Sequence, residues 1–156
     1  MFYDDVTFIK GGYINRNNIL SNGKPQRFTI PIPGSSSNTL IKDLLFDANV
    51  KKTLKTLEQS YRKAPNFNEV FDLIQDTFTH KERKVSQLCS KSIVDVFNYL
   101  GIEKEFHFSS DIIYERNLSA SDKLISMSHN LNTSTYVNTS GGKSLYSKEY
   151  FGKKFN

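Results

Sequence analysis

A single cysteine, Cys89, excludes a disulfide within the chain and any metal site built on paired thiolates. That usage suits a reducing compartment. Histidine is scarce as well: His80, His107 and His129 are scattered, with no HExxH or paired spacing, so no metal is expected. No run approaches the roughly 18 apolar residues of a membrane-crossing helix, so no membrane insertion is expected. Met1 leads almost directly into Asp4 and Asp5, which is not the start of a secretory leader. The expectation is a cytoplasmic protein. No block of like charge occurs either. The net charge of +5 comes from 21 Lys+Arg against 16 Asp+Glu, dispersed along the chain. Without a basic stripe, nucleic acid is not an expected partner. A mild positive excess does fit a small anionic substrate such as a nucleotide or sugar phosphate. The spacing GxxxxGK[ST] is absent, as are GxSxG and any local Ser-His-Asp arrangement. No cofactor is called for, and no reaction is named by a catalytic motif.

What the chain does have is aromatic bulk. Hydrophobic residues make up only 37%, but 12 Phe and 8 Tyr add area, each burying roughly 150–250 Å². At 156 residues the chain fits a single domain spanning 1–156. Residues 1–9 read as a strand, with Phe2, Val6 and Phe8 of one parity. Lys10 to Asn18 follows as a polar turn around Gly11-Gly12. Asn22-Gly23 is a second turn, and Arg27 to Ile32 alternates as a strand, so the region reads as a hairpin. Pro31 and Pro33 push its second strand toward an edge. From Val50 the period lengthens. Val50, Leu54, Leu57 and Tyr61 mark one helix face. Asn66 with Glu69 predicts a capping box for a helix carrying Phe67, Val70, Phe71, Ile74 and Phe78. Val85, Leu88, Cys89, Ile93, Val96, Phe97 and Leu100 form the strongest stripe, ended by Gly101. Short strands are expected at Glu105 to Phe108 and Ser134 to Val137. Helices are expected from a Ser121 cap to about Leu131 and around Tyr146 to Phe151. Strands alternating with helices predict an α/β class, a small mixed sheet with helices packed on it.

Two segments are candidates for chemistry. The first joins Asp4 and Asp5 to Lys10, Asn15, Arg16 and Asn17. Lys and Arg neutralise phosphate or carboxylate, Arg with a two-pronged fork, and Asn offers both donor and acceptor to a sugar. Strand alternation points Asp4 and Asp5 to opposite faces, which argues against a paired-carboxylate mechanism. A polar hairpin turn held by its own hydrogen bonds explains the same residues. The second is Ser140-Gly141-Gly142-Lys143 ahead of the last helix, where exposed amides can receive an anion. An ordinary connecting turn explains it equally. Tyr61 continues an apolar stripe, and Cys89 reads as a buried structural thiol.

The block Phe2-Tyr-Asp-Asp-Val-Thr-Phe-Ile-Lys-Gly-Gly-Tyr-Ile-Asn-Arg-Asn17, then Gly23-Lys24, then Thr29-Ile-Pro-Ile32, resembles the WbqC-like protein family. Leu54 to Tyr61, Ala64-Pro65 with Phe67, Tyr99-Leu-Gly-Ile102, Leu124-Ile125, and Tyr136 through Gly141-Gly142 to Tyr146 continue the resemblance in order. Family members are similar in being encoded among genes for O-antigen and other surface polysaccharides. The resemblance implies transfer of glycine or another aminoacyl group to a nucleotide-linked amino sugar. A non-catalytic binding or scaffold module and a truncated inactive member stay open beside that reading, because the family's usual N-terminal strand-helix segment is not found ahead of Phe2. In the transfer reading, Asp5, Lys10 and Arg16 are the candidate catalytic residues. Asn15, Asn17, Tyr61, Ser140, Gly141, Gly142 and Lys143 are the candidate substrate-binding residues.

Overall fold

Asn22 and Gly23 both take positive φ, 51° and 74°, the geometry of a two-residue turn whose twist matches antiparallel strands. They join β1 (Arg16–Ser21) to β2 (Lys24–Thr29) in a register running from Ser21↔Lys24 to Arg16↔Thr29. The bond from the Ile30 amide to the Asn15 carbonyl, 2.7 Å, extends the ladder and fixes its parity. That parity points the Leu20 amide out of the ladder, where it donates to Tyr61 Oη at 2.9 Å. Pro25 stands opposite Leu20, so its missing N–H removes no ladder bond. The second strand ends two residues before Pro31, earlier than the alternation predicts.

The structure is a computed structural model and describes residues 1–142 and 146–155. These residues show the expected α/β class, with a two-stranded antiparallel sheet and five α-helices. The chain divides into two compact units, residues 2–106 and residues 107–156 with Met1. No helix among the described residues is long and apolar enough to cross a membrane.

In the first unit, the strand expected at residues 1–9 is not one. Its pairing with the segment after the Ser-rich loop holds only at the isolated bridge Thr7↔Leu40. Bonds from Phe8 N–H to Thr39, Ile41 N–H to Val6 and Lys42 N–H to Asp4 hold it there. The ladder cannot lengthen because its partner coils at once into a 3₁₀ turn, Ile41–Asp43. This places Phe8 and Asp4 inside and leaves Val6 and Ile9 exposed. Phe8 packs with Ile32, Leu44, Phe46, Val85 and Leu88 in one apolar core. Val85 is fully buried, and such a side chain contributes roughly 1.5–3 kcal/mol.

Helices α1 (Lys51–Tyr61), α2 (Phe67–Thr79) and α3 (Val85–Tyr99) follow the sequence stripes closely. Two details differ. Asn66 starts α2 in the left-handed region with no side-chain cap bond, so the capping box is not made. The α3 stripe is buried only at its start: Val85 and Leu88 are inside, whereas Ile93, Val96 and Leu100 are exposed. The first turn of α3 is pinned by the Val85 amide on the Leu44 carbonyl, and this sets which part of the stripe meets the core. At the other end Ile102 N–H donates to Phe97 and Gly101 N–H to Asn98, a glycine-closed helix end. Lys91 on α3 binds Asp76 on α2 at 2.7 Å and Asp95 at 2.6 Å.

The second unit is built on rings. Ile112, Leu124, Ile125, Met127 and Phe151 form its core. Tyr136 stacks on Phe151 at 5.3 Å, and Tyr146 meets Phe151 edge-on. Ser119, not Ser121, caps α4 (Ala120–Asn130) by accepting from the Asp122 amide. The last helix, α5 (Lys148–Lys154), begins later than expected and is capped by Ser147. The segments 105–108 and 134–137 are not strands; the latter packs by Tyr136 rather than by a ladder.

No atom lies within 4 Å of where a Cβ on Gly23 would stand, so a side chain there meets only the backbone penalty of φ 74°. Gly23→Ala is therefore expected to lower unfolding free energy by about 1–2 kcal/mol. A shifted urea midpoint at unchanged m-value checks it.

Candidate functional site

The Gly11-Gly12 turn brings the backbone sharply round ahead of β1. Gly11 takes φ 99°, and a Cβ there would stand 2.5 Å from Arg16 Nη2. The Arg16 side chain folds back over this turn, and its Nε donates to the Gly12 carbonyl at 3.0 Å. Arg16 and Asn17 are the first residues of β1 rather than part of the turn, so the ladder fixes their direction. Asn15 is locked from two sides: its carbonyl accepts from Ile30 and its Nδ2 donates to the Ile30 carbonyl at 3.1 Å.

Asn15, Arg16 and Asn17 line one cavity of about 170 Å³. Its walls are largely apolar, with Ile14, Phe46 and Leu88 among them. It is also lined by Arg83, which precedes α3, and by Cys89 and Ser92 on α3. Arg83 is the residue that reading the sequence missed. Nothing in His80-Lys81-Glu82-Arg83-Lys84 distinguishes it from its charged neighbours, and no periodicity marks it. In the fold its Nη1 donates to the Phe78 carbonyl at 2.8 Å and its Nη2 to the Asp47 carbonyl. Its Nε is buried with no hydrogen-bond partner. Leaving such a donor unpaired costs about 1–3 kcal/mol.

The cavity's charge balance is one-sided. Among the described residues, no carboxylate lines it, and no ion pair involves Arg16 or Arg83. Two guanidiniums without a neutralising partner beside an apolar wall favour an anion. Free hydrogen-bonding capacity remains on both asparagines. Asn15 keeps its Oδ1 as an acceptor, since its bond uses Nδ2. Asn17 accepts from the Asn18 amide through Oδ1 and keeps Nδ2 as a donor. Among the described residues no cluster of His, Cys, Asp and Glu could hold a metal ion.

The other expected residues lie elsewhere. Asp5 and Lys10 do not line this cavity; Asp5 is half-buried and Lys10 exposed. Tyr61 lines a separate apolar groove of about 310 Å³ with Leu57, Phe67 and Phe71. Ser140, Gly141 and Gly142 belong to the second unit, in a 3₁₀ turn where the Gly142 amide donates to the Thr139 carbonyl at 3.0 Å. The helix capped by Ser147 begins at Lys148, so these amides are not at its N-terminus as the spacing suggested. Gly142 and Asn138 border a recess of about 450 Å³ with Tyr136, Tyr146 and Phe151. Lys143 lies outside the described residues.

Comparison with known proteins is consistent with the resemblance. The model of the WbqC-like protein family matches residues 1–155, and the chain belongs to that family. It is 23% identical over 155 residues to Uncharacterized protein Rv1507c of Mycobacterium tuberculosis (strain ATCC 25618 / H37Rv). That alignment covers 97% of this chain and 66% of the relative, so the chain spans just under two thirds of that protein's length. No solved structure matches.

Burial pushes the Cys89 thiol up from 9.0 to about 11. Native Cys89 therefore holds roughly a hundredfold less thiolate at neutral pH than an exposed thiol. Alkylation is expected to be slow in the native protein and fast once it is unfolded. The unfolded chain ionises first, so stability also falls as pH rises from about 9 toward 11. Cys89→Ala should remove that part of the slope in denaturation curves taken across this range.

Proposed function

We propose that this member of the WbqC-like family acts in surface-polysaccharide biosynthesis, transferring glycine or another aminoacyl group to a nucleotide-linked amino sugar. The observation that carries the reading is the convergence of Asn15, Arg16 and Asn17 on one cavity with unneutralised positive charge. These residues come from the most specific block of the family resemblance. Acyl transfer asks a protein chiefly for positioning and for stabilisation of a developing oxyanion. Guanidinium N–H groups and the Asn17 amide suit the second task. The Asn15 Oδ1 can accept from a sugar hydroxyl or an amine. A volume of about 170 Å³ is well below the roughly 300–1,000 Å³ of sites that enclose whole small molecules. The cavity thus takes one end of a substrate, and the remainder lies outside it.

A second reading, a non-catalytic binding module of a biosynthetic complex, draws support from one feature. Among the described residues the cavity is lined by neither a carboxylate nor a histidine, so no general base stands in it. Asp5, the candidate base of the first reading, is not part of its wall.

Mass spectrometry of surface polysaccharide from a deletion strain separates these readings. Loss of one aminoacyl substituent, restored by the wild-type gene and not by Arg16→Ala, supports transfer. An unmodified polysaccharide composition sinks it. In calorimetry, Arg16→Ala is expected to weaken binding of the nucleotide-linked amino sugar about tenfold or more, whereas Lys10→Ala, outside the cavity, changes it less.

A further inference from the structure

We propose that the aromatic recess of the second unit is a binding site for a neutral saccharide ring, with Asn138 as the side chain that orients it. The proposal stands on this recess alone and makes no use of the cavity in the first unit.

The first observation is the pairing of ring surface with uncharged polar groups. Tyr136, Tyr146 and Phe155 line the recess and are each half-buried, so part of every ring stays accessible. The buried Phe151 holds them. Tyr136 stacks on it at 5.3 Å, Tyr146 meets it edge-on at 5.9 Å, and Phe155 lies 5.9 Å from it. The rings are therefore placed before a ligand arrives. Thr135, Asn138 and Thr139 add hydroxyl and amide groups to the same lining. The electron-rich face of an aromatic ring attracts the weakly positive C–H groups of a pyranose. Amide and hydroxyl groups meet its hydroxyls as donors and as acceptors. A wholly apolar ligand would strip water from those polar groups without replacing it.

The second is the seating of Asn138. Its Oδ1 accepts from the Thr139 amide at 2.7 Å, which fixes the plane of the side-chain amide. The residue is exposed and lines the recess, so this amide is reachable. Gly142 makes room for it. A Cβ on Gly142 would collide with Asn138 Nδ2 and stand 2.9 Å from its Cγ, and the three atoms nearest to that Cβ all belong to Asn138. Gly142 does not take positive φ, so glycine serves space here and not backbone conformation.

The third is charge. Among the described residues no carboxylate lines the recess, and its one charged lining residue, Lys148, is exposed. The Gly142 amide donates to the Thr139 carbonyl at 3.0 Å and is not offered to an anion. These groups favour an uncharged ligand over a phosphate.

NMR titration of the ¹⁵N-labelled full chain with methyl β-glucoside, N-acetylglucosamine, cyclohexanol and glucose 6-phosphate tests this. At least one of the two neutral sugars is expected to bind with a Kd of roughly 10 mM, shifting the Asn138 side-chain amide. Asn138→Ala should weaken that binding about fivefold or more. Gly142→Ala displaces the same amide and should weaken it by a similar factor, and the double variant should bind no worse than either single one. A thermal melt checks the fold of each. Should Gly142→Ala fail to fold, Asn138→Ala, at an exposed position, decides alone. No binding of either neutral sugar at about 100 mM would overturn the proposal. So would cyclohexanol binding as tightly as the sugars, which marks an apolar recess only. Glucose 6-phosphate binding at least tenfold tighter than the neutral sugars would mark an anion site and overturn it too, as would unchanged binding in Asn138→Ala. Sugar binding here is expected whether or not a deletion strain loses an aminoacyl substituent, so the two proposals fail separately.

Discussion

Within the first unit, much depends on how one guanidinium is held. Arg83 sits in the short link between α2 and α3, and it binds the carbonyl of Phe78 near the end of one helix and that of Asp47 ahead of another. These carbonyls come from segments 31 residues apart, so the clamp helps to close the loop between them. Beside it Phe46 N–H donates to the Arg83 carbonyl and Val85 N–H to the Leu44 carbonyl. The residue is thus tied through both side chain and backbone. Leu44, Phe46 and Val85 then enter the core together. With this corner fixed, residues of the hairpin, of the end of α2 and of α3 line one cavity.

The same clamp gives the cavity its electrostatic character. A guanidinium satisfied by neutral carbonyl dipoles leaves a net positive charge in place, whereas one paired with a carboxylate forms a net neutral pair. Arg16, which also lines the cavity, repeats the arrangement by donating to the Gly12 carbonyl. Elsewhere in this unit a cation is neutralised directly: Lys91 lies between Asp76 and Asp95, and its ammonium holds Asp76 below the usual carboxylate range. The contrast separates a structural ion pair from a charge left available to a ligand.

Much of the scaffold was legible beforehand because it follows from local periodicity and turn chemistry. The Asn22-Gly23 turn, the faces of α1 and α2, and the closure of α3 at Gly101 each depend on residues close in sequence. The misreadings share one cause. Residues 1–9 have strand composition but lack a partner segment that stays extended, and the stretch 134–137 is held by ring packing around Phe151. Asn66 and Glu69 have capping-box spacing, yet the left-handed backbone at Asn66 leaves the cap bond unmade.

The site was legible only in part, and for the same reason. Asn15, Arg16 and Asn17 stand in one short block, so sequence alone could mark them as a unit and tie them to a family. Whether Tyr61, Asp5 or Lys10 joins them is a matter of which faces the fold turns together, and it turns Tyr61 to a different groove. Arg83 is 67 residues from Arg16 and sits among charged neighbours of the same kind, so no local pattern could select it. Only the tertiary structure buries its Nε, spends its Nη donors on two carbonyls from separate segments and brings it to the cavity that Asn15 also lines. Sequence fixes which charges exist and how each segment coils; packing decides which of those charges lose their water and which remain unneutralised.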